Sequence, residues 1–358
     1  MFVEHEMFHG PDFDNRGRSI PGHAVRGKRA GMNGVLDPFG RKINYLRLSV
    51  TGRCDLRCSY CRPQGNGGAL EEPEILSDEA LLLIARTSVD LGIEKIRVTG
   101  GEPLVRRGIM RLLSRIAAIP RLSKLVLTTN GLRLEESAAD LRKAGVESLN
   151  ISLDSLRADR FARITGGADL RRVLAGIEKA QGCGFHRVKI NAVVMRGINE
   201  DEVEEFAALT LNRPIRVRFI EYMPSASGGC ARGVTVPGEE ILARLSKRYR
   251  LHPMEKEELG GPARYFRIEG GAGAVGVITP VSCRFCGDCN RIRVTSSGIA
   301  KGCLFSRQDV DLKPYLLRGD LRELREALLE VVRRKPDRHH LCPEGFGGEP
   351  IPMSVVGG

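Results

Sequence analysis

The sequence contains no tryptophan, and aromatic residues make up only 5% of its 358 positions. With so few aromatic rings, a stacking platform for single-stranded nucleic acid is poorly supported. No apolar run approaches the roughly 18 residues that a membrane-spanning helix needs. The N-terminus, MFVEHEMFHGPDFD, has acidic residues where a secretory signal carries an apolar core. These absences predict a cytoplasmic protein whose partner is neither a membrane nor a nucleic acid.

The composition is that of a soluble, basic protein. Hydrophobic residues make up 42% and charged residues 28%, as in ordinary globular domains. The net charge of +12 fits a surface that is simply basic. It equally fits binding of an anion such as a nucleotide phosphate or a nucleic acid, and the charge alone does not separate these interpretations.

Ten cysteines occur in a chain that begins without an export signal. Seven of them fall into two groups, Cys54, Cys58 and Cys61 in the first and Cys283, Cys286, Cys289 and Cys303 in the second. Disulfides are rare in a reducing compartment, so grouped cysteines there indicate metal binding or redox chemistry.

Six short apolar segments alternate with amphipathic ones between residues 43 and 220. Each is rich in Leu or β-branched residues and is bounded by Gly, Asp, Asn or Pro, which is typical of buried strands. The predicted strands are Ile43–Val50, Ile93–Val98, Lys124–Thr128, Ser148–Leu153, Val188–Val194 and Ile215–Ile220. Six strand–helix units predict an α/β fold with a parallel sheet, in a partial, TIM-like (β/α)6 barrel rather than the closed barrel of eight.

Helices are predicted between and after these strands. Ser77 is a good N-cap for the first, which runs to Gly92, and others are predicted near 105–118, 135–144, 169–181, 200–211 and 320–334. A Ser-, Gly- and Pro-rich stretch at 224–240 predicts a loop, and 263–270 with 273–280 predicts a strand pair. The predicted organisation is an extension of unknown role over 1–40, a barrel over 41–240, a C-terminal domain over 241–345 and a tail over 346–358.

The first cysteine group follows the first predicted strand in the spacing C-x3-C-x2-C. Functional residues of parallel sheets collect at the carboxyl ends of strands. So short a loop can direct three thiolates at three irons of one cubane cluster, which normally has four thiolate ligands. The fourth iron would then be open to another ligand. Structural zinc, which usually has four protein ligands, and a chance match are the alternatives.

Two motifs resemble the signature of the radical S-adenosylmethionine (SAM) superfamily. They are Cys54-Asp-Leu-Arg-Cys58-Ser-Tyr-Cys61 and, after the second strand, Val98-Thr-Gly-Gly-Glu-Pro103. The resemblance implies a [4Fe–4S] cluster on the three cysteines, whose open iron binds SAM. It implies that the reduced cluster cleaves SAM to a 5′-deoxyadenosyl radical, which removes a hydrogen atom from the substrate. The implied SAM contacts are Tyr60, Gly101, Ser152 and Met223.

The second cysteine group reads Phe285-Cys286-Gly-Asp-Cys289-Asn-Arg-Ile-Arg293 and continues to Cys303, in the spacing C-x2-C-x13-C. Three cluster ligands are again predicted, with Cys283 as a rival ligand and a four-cysteine zinc site as the main alternative. These motifs and the terminal Gly-Gly resemble the molybdenum cofactor biosynthesis protein A family. The similarity extends from about residue 41 to the end and includes TTNG at 128–131, SLDSL at 152–156, ITGG at 164–167, VKINAVVMRGIN at 188–199 and RFIEYMP at 218–224.

Members of that family are GTP 3′,8-cyclases of molybdenum cofactor biosynthesis. The resemblance implies a second [4Fe–4S] cluster on Cys286, Cys289 and Cys303, with the guanine end of GTP on its open iron. The ribose C3′ would lose hydrogen and attack C8 of the base, giving 3′,8-cyclo-7,8-dihydro-GTP. The implied GTP contacts are Arg47, Arg97, Thr128, Lys189, Arg291, Ile292 and Arg293, and Arg293, Gly357 and Gly358 are implied to assist catalysis. Arginine and lysine in fixed geometry suit a triphosphate.

The resemblance also implies partners. These are an enzyme that rearranges the product to cyclic pyranopterin and an electron donor such as a flavodoxin or ferredoxin, and the chain could form a homodimer. Three alternatives compete with this hypothesis. They are a peptide-modifying radical SAM enzyme with an auxiliary cluster, a zinc-bearing nucleic-acid-binding protein, and an electron-transfer or scaffold protein whose clusters are fully ligated by protein.

Overall fold

The protein is built around a β-sheet whose central strands run parallel. In the computed structural model, the described residues are 34–61, 75–223, 233–306 and 308–339. They belong to a compact unit that begins at Gly34. Within these ranges, no helix has both the length and the apolar character needed to cross a membrane.

The strands and helices are numbered in chain order. The strands are β1 Val35–Leu36, β2 Lys42–Ile43, β3 Tyr45–Ser49, β4 Lys95–Thr99, β5 Lys124–Thr129, β6 Ser148–Ser152, β7 Val188–Val194, β8 Arg216–Glu221, β9 Leu251–Pro253, β10 Arg264–Ile268, β11 Ala274–Ile278, β12 Arg291–Val294, β13 Ile299–Lys301 and β14 Val310–Asp311. The helices are α1 Asp78–Asp90, α2 Ile109–Ala117, α3 Leu134–Lys143, α4 Ala158–Thr165, α5 Leu170–Gly182, α6 Val203–Asn212, α7 Gly238–Ser246, α8 Lys313–Arg318 and α9 Leu321–Arg333. Short 3₁₀ turns lie at Pro103–Val105, Glu200–Glu202 and Cys286–Asp288.

Strands β3 to β8 lie side by side in chain order and are all parallel. A helix follows each of the first five, because parallel neighbours need a crossover to return the chain to the same edge. These strands are almost wholly buried, yet apolar and polar residues alternate along several of them. In YLRLS of β3, Leu46 and Leu48 lie in the hydrophobic core, and Arg47 lies on the opposite face of the sheet. The six predicted strands and the partial barrel are confirmed.

Two strands from the second half of the chain extend this parallel set. β12 pairs in parallel with β3 at one side, and β11 pairs in parallel with β8 at the other. Within the described residues the parallel set therefore has eight strands, flanked by antiparallel β13–β14 and β10–β9. The predicted strand pair is confirmed as β10–β11, but its joining to the barrel sheet was not predicted. The boundary between 41–240 and 241–345 stays a prediction.

Several helices differ from their predicted limits for local reasons. The helix predicted at 105–118 is a 3₁₀ turn followed by α2, and Gly108, with φ at +74°, separates the two. Helix α4 was missed. Helix α7 begins inside the predicted loop 224–240, where Pro237 and Gly238 signalled a turn but instead start the helix. Gly238 is required there, because a Cβ would lie 2.3 Å from Cγ2 of Thr279.

Candidate active site

All eight parallel strands of the described residues contribute to the lining of a cavity that reaches their carboxyl ends. Such edges are where function collects in parallel sheets. The cavity contains fifteen of the predicted site residues: Arg47, Cys54, Cys58, Tyr60, Cys61, Arg97, Gly101, Thr128, Ser152, Met223, Cys286, Cys289, Arg291, Arg293 and Cys303. The fold therefore brings together motifs that lie far apart in the sequence.

The first cysteine loop leaves β3 and is held by the end of α4. Arg57 N–H donates to the carbonyl of Thr165 at 3.0 Å, and Ser59 N–H donates to that of Ile164 at 2.9 Å. Gly166, with φ at +79°, ends α4 against this loop, and a Cβ there would lie 3.1 Å from Cβ of Arg57. The missed helix thus positions the loop. The helical spacing of Phe161, Ile164 and Thr165 and the Gly-Gly pair that follows were the signals that could have revealed it.

The Gly-Gly-Glu-Pro turn packs directly under the same loop. Gly101 N–H donates to the carbonyl of Thr51 at 2.7 Å, and Glu102 N–H donates to that of Arg53 at 2.7 Å. A Cβ on Gly101 would lie 2.3 Å from the Arg53 oxygen, so only glycine permits this approach. The turn after β4 and the cysteine loop after β3 are therefore one rigid unit.

Glu102 fastens this unit to the end of β5. Its buried carboxylate accepts from Asn130 N–H at 2.6 Å, Thr129 Oγ1 at 2.9 Å and Leu104 N–H at 3.0 Å. Burial raises the pKa of Glu102 to about 7, although these hydrogen bonds act in the opposite direction. Backbone and hydroxyl donors occupy both oxygens of the Glu102 carboxylate, which indicates a structural role for this residue.

A second buried carboxylate orients Tyr60. The Tyr60 hydroxyl donates to Asp154 Oδ2 at 2.7 Å, while Asp154 Oδ1 accepts from Val193 N–H at 2.8 Å. Burial raises the pKa of Asp154 to about 6. Ser152 and Met223 line the cavity together with this pair. The carboxyl ends of β6, β7 and β8 therefore surround the region in which SAM contacts were predicted.

A row of arginines crosses the sheet beside the cysteine groups. In the register of the strands, Arg293 of β12 lies beside Arg47 of β3, and Arg47 lies beside Arg97 of β4. All three are buried and line the cavity. Burial lowers the pKa of each, to about 10 for Arg293, and Arg293 and Arg97 lower that of Arg47 further. Adjacent like charges repel, so an anion in the cavity would stabilise the row.

Two buried polar atoms on this wall point to the same conclusion. Within the described residues, neither Arg97 Nε nor Thr128 Oγ1 has a hydrogen-bond partner. Buried polar atoms are nearly always paired, and an unpaired one is costly. Both residues were predicted to contact GTP, whose phosphate and ribose oxygens would supply the missing partners.

Two further basic residues near the cavity were not predicted, and burial lowers the pKa of one of them, Lys95, to about 5. Arg218 is buried, and its guanidinium donates to Asn191 Oδ1 and Asn150 Oδ1, both at 2.7 Å. Lys95 is also buried, over the ring of Tyr45 at 4.3 Å. The missed signal was the presence of Lys or Arg inside apolar strands such as IRVRFI, where burial of an unpaired charge is expensive.

Lys189 lies beside the cavity rather than in its lining. Its ammonium is 3.6 Å from the Glu257 carboxylate, which also accepts from Arg216 at 2.6 Å. Burial lowers the pKa of Lys189 to about 7. The basic neighbours lower the pKa of Glu257 to about 2, although burial acts in the opposite direction. Glu257 therefore stays ionised at neutral pH, and Lys189 is the member of the pair that titrates.

The second cysteine group lies in an electropositive setting. Cys289 Sγ is 3.3 Å from the ammonium of Lys335 and 3.8 Å from Nη2 of Arg291. Burial alone would raise the pKa of Cys289, but Arg291 and Lys335 lower it to about 6. Cys283 is exposed and is absent from the cavity lining, which favours Cys286, Cys289 and Cys303 as the ligand set.

The chemistry of the two cysteine sets fits iron–sulfur clusters. A cubane spreads its thiolate ligands over several irons, so three cysteines leave one iron open. In the described ranges, no three Cys, His, Asp or Glu side chains are grouped closely enough to hold one metal ion. At the first set, burial and then Asp154 raise the pKa of Cys58, so its thiolate needs a cationic partner such as iron.

The remaining predicted residues have other settings. Ile292 lies between Arg291 and Arg293 on β12, and its side chain is in the hydrophobic core, so it could reach a ligand only through its backbone. Gly357 and Gly358 lie outside the described residues.

Comparison with known proteins identifies the class of the protein. The model of the radical SAM superfamily matches residues 48–210, and that of Molybdenum Cofactor Synthesis C matches residues 215–341. Among solved structures, SuiB of Streptococcus suis bound to S-adenosylmethionine has a TM-score of 0.56 and 16% identity, covering 82% of this chain and 66% of that one. The fold and the cysteine loop define a radical SAM protein.

Two curated relatives narrow this class. The GTP 3′,8-cyclase of Geobacter sulfurreducens is 57% identical over 324 residues, and that of Pelotomaculum thermopropionicum is 46% identical over 325 residues. Each alignment covers 90% of this chain and 99% of the relative. The chain belongs to the GTP 3′,8-cyclase family. Its cofactors are SAM and two [4Fe–4S] clusters.

Proposed function

We propose that this protein converts GTP to (8S)-3′,8-cyclo-7,8-dihydroguanosine 5′-triphosphate, the first step of molybdenum cofactor biosynthesis. The observation that carries the proposal is the row of buried arginines in a cavity that both cysteine groups line. A polyanion is the ligand that such a row favours. The identity of the curated relatives supports GTP as that polyanion.

Cys54, Cys58 and Cys61 would hold the first cluster. Tyr60, Gly101, Ser152 and Met223 would contact SAM at that cluster. Bound there, SAM and the reduced cluster supply a 5′-deoxyadenosyl radical that removes hydrogen from C3′ of GTP. The Asp154 carboxylate orients Tyr60, and Glu102 keeps the Gly-Gly turn in place. These residues position the cofactor and leave the bond cleavage to it.

Cys286, Cys289 and Cys303 would hold the second cluster and, with it, the guanine end of GTP. Arg47, Arg97, Thr128, Lys189, Arg291, Arg293 and the backbone of Ile292 would contact the nucleotide. We add Arg218, because it is buried, lines the cavity and is oriented by two asparagines. These donors would fix the ribose relative to SAM, which is the main contribution of a protein to such a reaction.

Apolar side chains complete the cavity. Leu56, Phe161, Ile220 and Phe285 are in its lining. They would exclude water, which protects a reactive intermediate from side reactions. We also propose that Arg293 assists catalysis together with Gly357 and Gly358. A flavodoxin or ferredoxin would supply the electron, and a second enzyme would rearrange the product to cyclic pyranopterin.

An anaerobic assay tests the proposal. The protein is reconstituted with iron and sulfide, reduced, and given SAM with and without GTP. The expected products are 5′-deoxyadenosine and a GTP isomer of unchanged mass. Formation of deoxyadenosine with unaltered GTP would reject GTP as the substrate and direct attention to peptides, which the alternative radical SAM hypothesis requires.

A pair of cysteine variants tests the second cluster. Cys303→Ala is expected to abolish cyclisation and to weaken GTP binding, while the first cluster still forms and cleaves SAM. Cys283→Ala is the matched control, because Cys283 is exposed and absent from the cavity lining. Full cyclase activity in Cys303→Ala, or its loss in Cys283→Ala, would show that the ligand set is wrong.

A further inference from the structure

Lys335 is a buried lysine just beyond the end of α9, and the reaction described above does not use it. Only 3% of the residue is exposed. In the described part of the chain, its ammonium donates to the carbonyl of Gly302 at 2.7 Å, the carbonyl of Arg291 at 2.9 Å and Sγ of Cys289 at 3.3 Å. Two of these acceptors are neutral. The sulfur is the one that becomes negative when it binds a metal.

The contact between the Lys335 ammonium and Cys289 depends on close packing between α9 and the residue after β13. A Cβ on Gly302 would lie 2.9 Å from the carbonyl oxygen of Val331 and 3.0 Å from Cα of Lys335. Only glycine therefore lets the end of α9 approach the strand that leads into Cys303. As a result, a single ammonium connects Cys289 with the peptide that precedes Cys303.

A second buried cation fixes the segment after Lys335 from another direction. The Arg41 guanidinium donates to the carbonyls of Pro336 at 2.7 Å, Asp337 at 2.8 Å and Cys286 at 2.7 Å. Asp37 holds Arg41 through an ion pair of 2.6 Å. The Arg41 guanidinium thus links the carbonyl of Cys286 to the segment that follows Lys335. Lys335 therefore cannot move away from the second cysteine group without breaking several buried hydrogen bonds.

The first cysteine group has a different electrostatic setting. One side-chain donor at Cys54 Sγ is the neutral amide of Asn130, at the long distance of 3.9 Å. Asp154 lies near enough to Cys58 to raise the pKa of its thiol. Cationic donors at Cys289 thus contrast with a neutral donor and a carboxylate at the first group. Hydrogen bonds to the sulfurs and local charge are among the factors that set the reduction potential of an iron–sulfur cluster.

We propose that Lys335 is a positioning residue for the second iron–sulfur cluster, which it holds in place and whose reduction potential it raises. The proposal rests on the second cluster of the proposed function. A fixed positive charge stabilises the reduced cluster, which carries one more electron, relative to the oxidised cluster. The hydrogen bond to Cys289 acts in the same direction, because it withdraws electron density from the sulfur.

The test measures the potential of the second cluster alone. The full chain carries Cys54→Ala, Cys58→Ala and Cys61→Ala, and its iron and sulfide contents are determined before a redox titration followed by electron paramagnetic resonance. Lys335→Met removes the charge at similar volume. It is expected to shift the reduction equilibrium at least tenfold toward the oxidised cluster, which is about 59 mV for one electron. Lys335→Arg keeps the charge and is expected to stay close to the parent potential.

Each outcome decides the proposal. An unchanged potential in Lys335→Met with full iron content would overturn it. If Lys335→Met loses its iron, retention of iron and potential in Lys335→Arg supports it, whereas equal loss in both variants would overturn it, because a retained positive charge would then not preserve the cluster. In the complementary chain with Cys286→Ala, Cys289→Ala and Cys303→Ala, Lys335→Met should leave the first cluster unaltered, and a shift there would contradict a local effect.

The parent chain separates this inference from the proposed function. Absence of iron in the chain that retains only the second cysteine group would reject the second cluster itself, and the proposal with it. Iron present with a potential insensitive to Lys335 would reject the role of Lys335 alone.

Discussion

Buried arginines at neighbouring positions in the sheet are unfavourable for folding and favourable for binding. Burial lowers the pKa of Arg47, Arg97 and Arg293, and the charges of Arg293 and Arg97 lower that of Arg47 further. In a protein without an anionic ligand, apolar residues of similar size would be more stable at these positions. The arginines of the cavity wall thus lower the folding stability of the protein and favour binding of an anionic ligand.

Arg97→Met tests this balance at a single residue. We expect the free energy of unfolding of the ligand-free chain to rise by about 1 kcal/mol, because a desolvated charge is removed. We expect the KM for GTP to rise roughly tenfold or more, since a charge-assisted hydrogen bond is lost. Thermal unfolding and steady-state kinetics measure the two effects. Arg115→Met, at an ion pair that is partly exposed, is the control and should change neither quantity.

A fall in stability of Arg97→Met, together with an unchanged KM, would contradict the assignment of Arg97 to GTP. Such a result would indicate that the guanidinium stabilises the fold, for example through the ring of Tyr45.

The pKa of Lys189 predicts a proton linked to GTP binding. Burial holds this pKa at about 7, so above pH 7 the lysine is mainly neutral in the free protein. A triphosphate favours the charged form, and binding above pH 7 must therefore take up a proton. The affinity for GTP should fall as pH rises from 7 to 9, by up to about tenfold per pH unit. Calorimetry at pH 8 in buffers of different ionisation enthalpy measures the uptake.

Lys189→Arg is the matched control for this linkage, because arginine remains charged throughout the range. The variant should bind GTP without taking up the proton. Equal proton uptake in both proteins would assign the titration to another group.

At the scale of elements, the two adjacent loops of the proposed SAM region form one unit. The Gly-Gly turn after β4 contacts the backbone that leads into Cys54, and α4 holds the cysteine loop from its other end. The described part of the cysteine loop contains no helix or strand, and the Gly-Gly turn is followed only by the short 3₁₀ turn Pro103–Val105, so the geometry of both depends on these contacts between elements.

Gly101→Ala should separate the two loops. The new Cβ would lie 2.3 Å from the Arg53 carbonyl oxygen, and relief of that overlap would cost about 1–3 kcal/mol. We expect SAM to bind at least tenfold more weakly while the iron content of the protein is preserved, as measured by equilibrium binding and iron analysis. The control is Gly52→Ala in the cysteine loop after β3, where a Cβ would meet no atom within 4 Å. Equal SAM affinity in both variants would disprove the close-approach argument.

At the scale of the whole molecule, the two halves of the chain share one sheet. β12 covers the free edge of β3, and β11 covers that of β8. Exposed edges of apolar strands promote aggregation. The second half of the chain therefore both supplies the second cysteine group and completes the barrel that holds the first.

Removal of the second half should consequently destabilise the first. A fragment of residues 34–223 is expected to aggregate or to lose its cooperative thermal unfolding, because two apolar edges become exposed. Size-exclusion chromatography and circular dichroism measure this. The full chain with Cys286→Ala, Cys289→Ala and Cys303→Ala is the control, since it loses the cluster ligands but keeps both edge strands. A monodisperse fragment that unfolds cooperatively would show that the barrel is independent.

The sequence alone determined the features that depend on local pattern. Each of the six strands was visible because it is short, rich in Leu or β-branched residues and bounded by turn-forming residues. Ser77 marked α1 because its side chain caps the helix by accepting from Ala80 N–H at 3.2 Å. The spacing of Cys54, Cys58 and Cys61 predicted a single site because the loop is short. Helix α4 escaped detection because it has only eight residues and buries only Phe161, Ile164 and Thr165, so its apolar periodicity spans little more than one turn.

Tertiary structure alone decided which distant residues meet. Arg293 and Arg47 are neighbours because β12 pairs with β3, and no local pattern records a register between strands so far apart in the chain. Lys335 reaches Cys289 because Gly302 lets α9 approach β13. Register and close packing are properties of the assembled sheet, since they result from the burial of whole surfaces. The local sequence therefore specified the individual motifs of the site, and tertiary packing specified which of these motifs lie next to one another.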